Sequence, residues 1–208
     1  GGTIELNAPG NQELSGTIPY FHNLSVTGAN TYLTDSKTIS SSIVVNNNVS
    51  ITGSAVFDIS NKGMSGDAGL SMDNGRLRMS KLNTSLPELN GIATSYNLTG
   101  GVIEWYGTTS IQQQLIRGGV SYYNMEINSS AANLSIPASA GNVDAASSFS
   151  LTGTLNVISP SVLRLDPSDA ISGTGNLTIQ AGAGLIYGSA DGIKLTGTSA
   201  SDGNIRIS

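Results

Sequence analysis

The sequence predicts an all-β fold, a right-handed parallel β-helix built as a solenoid of short coils. Three observations predict it: a composition rich in β-branched and turn residues but poor in charge, a repeat of about 100 residues, and a finer recurrence of short strand-like units about 20 residues apart.

The 208 residues are 38% hydrophobic and only 11% charged, with 26 glycines. Disordered chains are usually charged and lack β-branched residues. This chain is nearly uncharged and rich in Val, Ile, Leu and Thr, which suits many short strands joined by many turns. Its net charge of −5 and its nine scattered Lys and Arg supply no basic patch. Nucleic-acid binding and attachment to an anionic membrane are therefore not expected. No Cys is present, which excludes disulfides, thiolate metal sites and cysteine nucleophiles. No signal peptide, transmembrane run or lipidation signal is recognisable. Both termini read as interior to the repeat pattern, so the expectation is a segment of something longer.

The longer repeat pairs Gly1-Gly2-Thr3-Ile4-Glu5 with Gly100-Gly101-Val102-Ile103-Glu104, and Tyr20–Val26 with Ser121–Ile127. It also pairs Ser50-Ile51-Thr52-Gly53 with Ser150-Leu151-Thr152-Gly153, and Leu70-Ser71-Met72 with Leu177-Thr178-Ile179. This divides the chain into a first repeat over 1–99 and a second over 100–208, the second ending in the start of a further coil. Trp105 is then expected where Leu6 sits, and Tyr123 where His22 sits.

Within each repeat, apolar-polar-apolar units recur, as in Leu155-Asn156-Val157, Leu163-Arg164-Leu165, Leu177-Thr178-Ile179 and Ile193-Lys194-Leu195. Period-two alternation marks short strands with one buried face. Leu155 to Leu177 and Leu163 to Leu185 are each about 22 residues; Val49 to Leu70 and Phe57 to Leu77 are about 20. Two strand positions thus recur together, one coil later, as a parallel β-helix requires. Gly, Asn and Asp gather at turns, where left-handed backbone is tolerated. Examples are Thr27-Gly28-Ala29-Asn30, Asp73-Asn74-Gly75 and Asp191-Gly192. Asn46-Asn47-Asn48 is expected to form either a side-chain ladder or a turn. The alternative fold is a tandem pair of β-sandwich domains of about 100 residues each, which would lack the 20-residue sub-repeat and would use longer strands.

The run Tyr96-Asn97-Leu98-Thr99-Gly100-Gly101-Val102-Ile103-Glu104-Trp105, followed by Tyr122-Tyr123-Asn124-Met125-Glu126-Ile127, resembles repeats of very large secreted surface adhesins of the Bacteroidota. These include gliding-motility adhesins exported by type 9 secretion. A weaker copy stands at Gly1–Leu6 and His22–Val26, so the resemblance covers most of the chain. It implies an extracellular, elongated, adhesin-like filament on the bacterial surface, with neighbouring repeats of the same chain as partners. It carries over no catalytic residues.

Candidate chemistry is sparse. His22 is the only histidine, so a Ser-His-Asp triad or a zinc site would have to centre on it. Its match to Tyr123 favours a packing or surface role. Paired carboxylates could serve a glycosidase or lyase. The pairs are Glu5 with Glu104, Asp67 with Asp73, and Asp166 with Asp169. The first pair falls about five coils apart, too far to flank one bond, and the last flanks a Pro167-Ser168 turn. Asp166, Asp169, Asp191 and Asp202 could bind calcium, though their spacing fits no calcium loop and turn capping is favoured. Seven Asn-x-Ser/Thr sequons, among them Asn23, Asn48, Asn97 and Asn176, follow from composition.

Aromatics fall in pairs, and Tyr20, Trp105, Tyr106 and Tyr122 are the candidate glycan contacts. Alternation along a strand would bury one member of each pair. The expected function is a non-enzymatic structural or adhesive shaft that uses no cofactor or metal and touches surface glycans at most. The alternative is a carbohydrate-binding or carbohydrate-cleaving β-helix, such as a phage tail spike or polysaccharide lyase. An ice-binding solenoid is a third class, whose signature would be a flat row of Thr-x-Thr.

Overall fold

A computed structural model describes residues 1–16, 20–28, 36–90, 95–109, 113–131, 143–188 and 192–207. The fold is all-β, and short parallel strands stack coil on coil as a β-solenoid. The chain divides into two compact units, residues 1–81 with 87–103 and residues 82–86 with 104–208.

In the first unit one sheet runs β1 (Thr3–Leu6), β3 (Tyr20–Gly28), β5 (Ile43–Gly53), β8 (Gly69–Met72) and β11 (Tyr96–Leu98), with β7 (Met64–Ser65) beside β5. A second sheet runs β2 (Gln12–Leu14), β4 (Ser36–Ile39), β6 (Val56–Ser60) and β9 (Arg76–Met79). Each strand pairs with the strand one coil away, in parallel. Ile4 faces Leu24, Leu24 faces Val49, Val49 faces Leu70, and Leu70 faces Tyr96. Two residues further on, Leu6, Val26, Ile51, Met72 and Leu98 form the next row. Leu24, Val49 and Leu70 have almost no exposed surface, whereas Ile4, on the first coil, is 39% exposed.

The second unit has three sheets. One runs β10 (Ser85–Leu86), β13 (Gln114–Ile116), β16 (Val143–Ala145), β19 (Val162–Leu165), β22 (Gly184–Tyr187) and β25 (Asn204–Ile207). Another runs β14 (Ser121–Tyr122), β17 (Phe149–Leu151), β20 (Ile171–Gly173) and β23 (Ile193–Leu195). The third contains β12 (Val102–Thr109), β15 (Asn124–Ala131), β18 (Thr154–Val157), β21 (Asn176–Ile179) and β24 (Ser199–Ser201). The anticipated coil spacing is the observed register: Leu155 faces Leu177 and Leu163 faces Leu185, all four buried. Val49 opposite Leu70 and Phe57 opposite Leu77 repeat it in the first unit. Parallel pairing excludes the antiparallel sandwich.

The coils turn at glycine corners. A Cβ on Gly100 would lie 1.8 Å from the Asp73 carbonyl oxygen, and one on Gly66, at φ 112°, would lie 2.1 Å from that of Val45. Glycine is required there because the previous coil's backbone already fills the space. An apolar-Thr-Gly triplet marks many of these corners. The hydroxyl and the amide of Thr152 both donate to the Tyr122 carbonyl, at 3.2 and 2.9 Å, and Thr99 and Thr196 make the same pair of contacts to Met72 and Gly173. The triplet therefore closes the corner and binds it to the coil before.

The four duplicated blocks are not all placed alike. Ser50–Gly53 and Ser150–Gly153 both lead into a glycine corner. Leu70–Met72 lies in β8, which precedes a corner, whereas Leu177–Ile179 lies in β21, which follows one. Similarly Leu6 closes β1, while Trp105 lies in β12, after the Gly100-Gly101 corner; both are buried. Ala29, Asn30 and Asp191, expected in turns, lie outside the described residues.

Because the inward leucines are fully packed between coils, truncating one leaves a cavity lined by its stacked neighbours. Leu163→Ala should lower unfolding stability by about 2–5 kcal/mol. Thr178→Ala, on the outward side of β21, should change it by about 0.5 kcal/mol or less. Urea denaturation followed by circular dichroism checks both; equal effects would mean that Leu163 is not a core residue.

Candidate functional site

The inward stripe carries the largest side chains. Trp105, Tyr122 and Phe149 stack edge to face, with ring centroids 5.8 and 5.6 Å apart. The Tyr122 hydroxyl donates to the Arg117 carbonyl at 2.8 Å, and the Trp105 indole nitrogen points to the Leu115 carbonyl at 3.4 Å. Both rings are fully buried. This corrects two of the four candidate glycan contacts. Trp105 and Tyr122 are core residues, because each shares inward parity with an apolar partner two residues before it, Ile103 and Val120. Tyr106, the neighbour of Trp105, is half-buried, and Tyr20 is 73% exposed. Tyr123, which was not among the candidates, is 37% exposed. One member of the Trp105-Tyr106 and Tyr122-Tyr123 pairs is thus in the core, as strand alternation requires.

The outward face of the first sheet is a grid of small polar side chains. Ser25, Ser50 and Ser71 stand opposite one another on successive coils, as do Thr27 and Thr52, whose hydroxyls are 3.2 Å apart. The Asn47 amide donates to the Asn23 side-chain oxygen at 2.7 Å, and the Asn23 amide donates to the Thr3 hydroxyl at 3.2 Å. Ser71 in turn donates to the Asn48 side-chain oxygen at 3.3 Å. Of the two expectations for Asn46-Asn47-Asn48, the ladder is the one observed. Beside the first coil an open hollow of ≈ 340 Å³ is lined by Asn11, Gln12, Glu13 and Thr38.

The candidate acids do not converge in the pairs considered. Glu5 is exposed in the first unit. Glu104 is buried in the second and accepts from the Asn128 amide at 3.1 Å. Asp67 and Asp73 are both exposed in turns. Asp166 and Asp169 form the turn read from the sequence, with the Asp169 amide donating to the Asp166 carbonyl at 2.8 Å. His22 is exposed beside Gly1. Among the described residues no group of three or more His, Asp or Glu is arranged to hold a metal ion.

A different charged cluster is present on the second unit. Asp144 on β16 stands opposite Arg164 on β19. One Arg164 nitrogen lies 3.4 Å from Asp144 Oδ2 and the other 2.6 Å from Asp166 Oδ1. Asp144 is only 6% exposed, and its Oδ1 has no hydrogen-bond partner among the described residues. Burial pushes the Asp144 carboxyl up to about 7, and the nearby Asp166 charge adds to the rise; the Arg164 guanidinium opposes it but at 3.4 Å does not win. Asp169 is also shifted upward, by burial first and Asp166 second. Arg78 and Asp58 repeat the cross-coil pairing at 3.2 Å in the first unit.

Two further charged contacts are structural, one made by the buried Lys37 and one by the half-buried Lys81–Glu88 pair. Lys37 faces inward on β4 at the row position of Phe57, and its ammonium donates to the carbonyls of Ala8 at 2.7 Å and of Gly10. It ties the first turn to the core. Lys81 pairs with Glu88 at 2.6 Å over Gly63, where a Cβ would come within 2.8 Å of Glu88 Oε2.

No family model, curated protein or solved structure matches the chain.

The Asp144 environment fixes a pH dependence. Its folded-state pKa is raised above the ordinary value of 3.8, so the folded chain holds this proton more tightly than the unfolded chain does. That contribution is complete below about pH 4 and is lost as pH rises through about 7, with a slope of at most about 1.4 kcal/mol per pH unit. Asp144→Asn should remove this contribution and flatten the profile, leaving the smaller share of Asp169. Urea unfolding at intervals from pH 4 to pH 8 checks this, and identical profiles for the two proteins would contradict the assignment.

Proposed function

We propose that the chain is a structural and adhesive segment of a large extracellular bacterial surface protein. In this reading it is a stiff β-solenoid shaft that presents or mediates attachment, after the manner of the gliding-motility adhesins its repeats resemble. It is not an enzyme, and its partners are neighbouring repeats and surface glycans. One observation carries the reading. Apolar rows face the core coil after coil, while the outward rows of the first sheet are mostly Asn, Ser and Thr. Such a stack transmits load through backbone ladders and adds stability one coil at a time. Its outer hydroxyls and amides suit uncharged, hydroxyl-rich surfaces, and the exposed ring of Tyr20 suits stacking on a sugar face.

The second reading, a carbohydrate-cleaving β-helix, is favoured by the Asp144–Arg164–Asp166 cluster. A carboxyl that titrates near neutrality, a guanidinium and a second carboxylate are the ingredients of acid–base work on a glycan. Against it, Asp144 is sealed from solvent on a packed sheet, whereas a general acid must reach the leaving-group oxygen.

One assay separates the two. The chain is incubated with neutral and acidic polysaccharides, and retention on immobilised glycan is measured together with new reducing ends. The shaft reading expects no turnover above a blank, with any retention weakened several-fold by Tyr20→Ala. Turnover that disappears in Asp144→Asn or Asp166→Asn would overturn it in favour of the cleaving reading.

A further inference from the structure

We infer that the Asn74-Gly75 step is a site of spontaneous covalent modification, at which the main chain passes through a cyclic imide and Asn74 becomes aspartate or isoaspartate. The inference rests on the solenoid corner and not on the shaft reading.

The step lies inside the first unit, at the corner between β8 and β9, with a coil on each side of it. β8 pairs with both β5 and β11, and β9 pairs with β6. Asn74 is exposed, and its side chain forms no hydrogen bond among the described residues. The asparagines of the outward grid differ, because Asn23, Asn47 and Asn48 are each held in the ladder. The Gly75 amide is likewise unbonded among the described residues, whereas the next amide, that of Arg76, donates to the Ala55 carbonyl at 2.8 Å. Gly75, at φ 77°, has no side chain to shield its nitrogen. An amide electrophile and an unshielded nitrogen therefore stand side by side, and neither is tied up.

The chemistry needs only water. The Gly75 nitrogen loses its proton and attacks Asn74 Cγ. The N–Cγ bond forms, the Cγ–Nδ2 bond breaks, and ammonia leaves with the proton. Water then opens the imide in one of two ways. Attack at Cγ breaks the new bond and leaves aspartate. Attack at the main-chain carbonyl carbon of residue 74 breaks the original peptide bond, so the chain runs on through Cγ as isoaspartate with a free α-carboxylate.

The corner gives the second product a structural effect. A Cβ on Gly101 would lie 2.6 Å from the Asn74 carbonyl oxygen and 2.7 Å from that of Gly75. The Gly75 carbonyl also accepts from the Val102 amide at 2.9 Å. On the other side, a Cβ on Gly75 would lie 2.7 Å from the Ala55 carbonyl oxygen. Residues 73–75 are thus clamped between the corner before and the corner after. Isoaspartate adds a methylene to the main chain here and takes the Asn74 carbonyl out of its place, so the segment no longer fits between its neighbours. Either product also adds a negative charge next to the exposed Asp73.

The test follows the whole folded chain during incubation in mildly alkaline buffer. Trypsin then releases residues 63–76, in which Asn74 is the only asparagine, so its conversion is read apart from that of Asn90-Gly91, the other Asn-Gly step of the sequence. This peptide should gain the mass difference between asparagine and aspartate several-fold faster than residues 38–62, which carry Asn47 and Asn48. It should also separate into two products of equal mass, one of them a substrate for an isoaspartyl methyltransferase. Asn74→Ala is the control for stability, since the backbone of residue 74 is not left-handed and accepts alanine; its fold is checked by circular dichroism. After the same incubation the wild-type chain should unfold at lower urea than before, and Asn74→Ala should lose less. A 63–76 peptide that keeps its mass in the folded chain, conversion to aspartate alone, or equal losses in the two proteins overturns the inference.

Discussion

Everything in this structure depends on the parallel ladder that sets each coil in register with the one before. Parallel pairing places like positions opposite like positions, so an apolar residue at one step requires an apolar residue about 20 residues later. Leu24, Val49 and Leu70 share one sealed row for that reason. The same constraint works outward, where Asn, Ser and Thr stack on their own kind and satisfy one another. It also explains the corners, where the backbone of successive coils approaches so closely that only glycine fits. A one-residue slip would turn every leucine outward, so the register is strongly fixed.

The coil period was legible because strand-core leucines sit in units that alternate with period two and recur at the length of one coil. Leu155 with Leu177 and Leu163 with Leu185 needed only that spacing to be found. The 100-residue repeat was less informative about placement. It aligns Leu70–Met72, before a corner, with Leu177–Ile179, after one, because nearly every strand here has the same apolar-polar-apolar form. Local similarity between any two strands is therefore high whether or not they hold equivalent positions in their coils. The apolar-Thr-Gly triplet would have been the better guide, since its threonine and glycine are fixed by the corner itself.

The candidate site was legible only in part. Trp105 and Tyr122 could have been placed in the core from their own neighbours, since Ile103-Glu104-Trp105 is another unit of the same alternating kind. Aromatic character alone does not say which member of an adjacent pair faces inward, whereas parity with Ile103 does. The charged cluster was missed for a different reason. Asp144 and Arg164 are distant in sequence and meet only because one coil separates them, at a residue offset of 20. Asp58 and Arg78 meet at the same offset of 20. An acid and an arginine one coil apart is therefore a signal that a solenoid makes readable once its period is known. The upward shift of Asp144 was not readable at all, because it arises from burial that the surrounding fold imposes.

The central claim is that successive coils are stacked in parallel with this register, and nuclear magnetic resonance tests it most directly. In an isotopically labelled sample, cross-strand backbone contacts should link Leu155 with Leu177 and Leu163 with Leu185, in the pattern of parallel strands. Contacts running in opposite directions along these segments, or linking Leu155 to a neighbour in its own hairpin, would contradict the account.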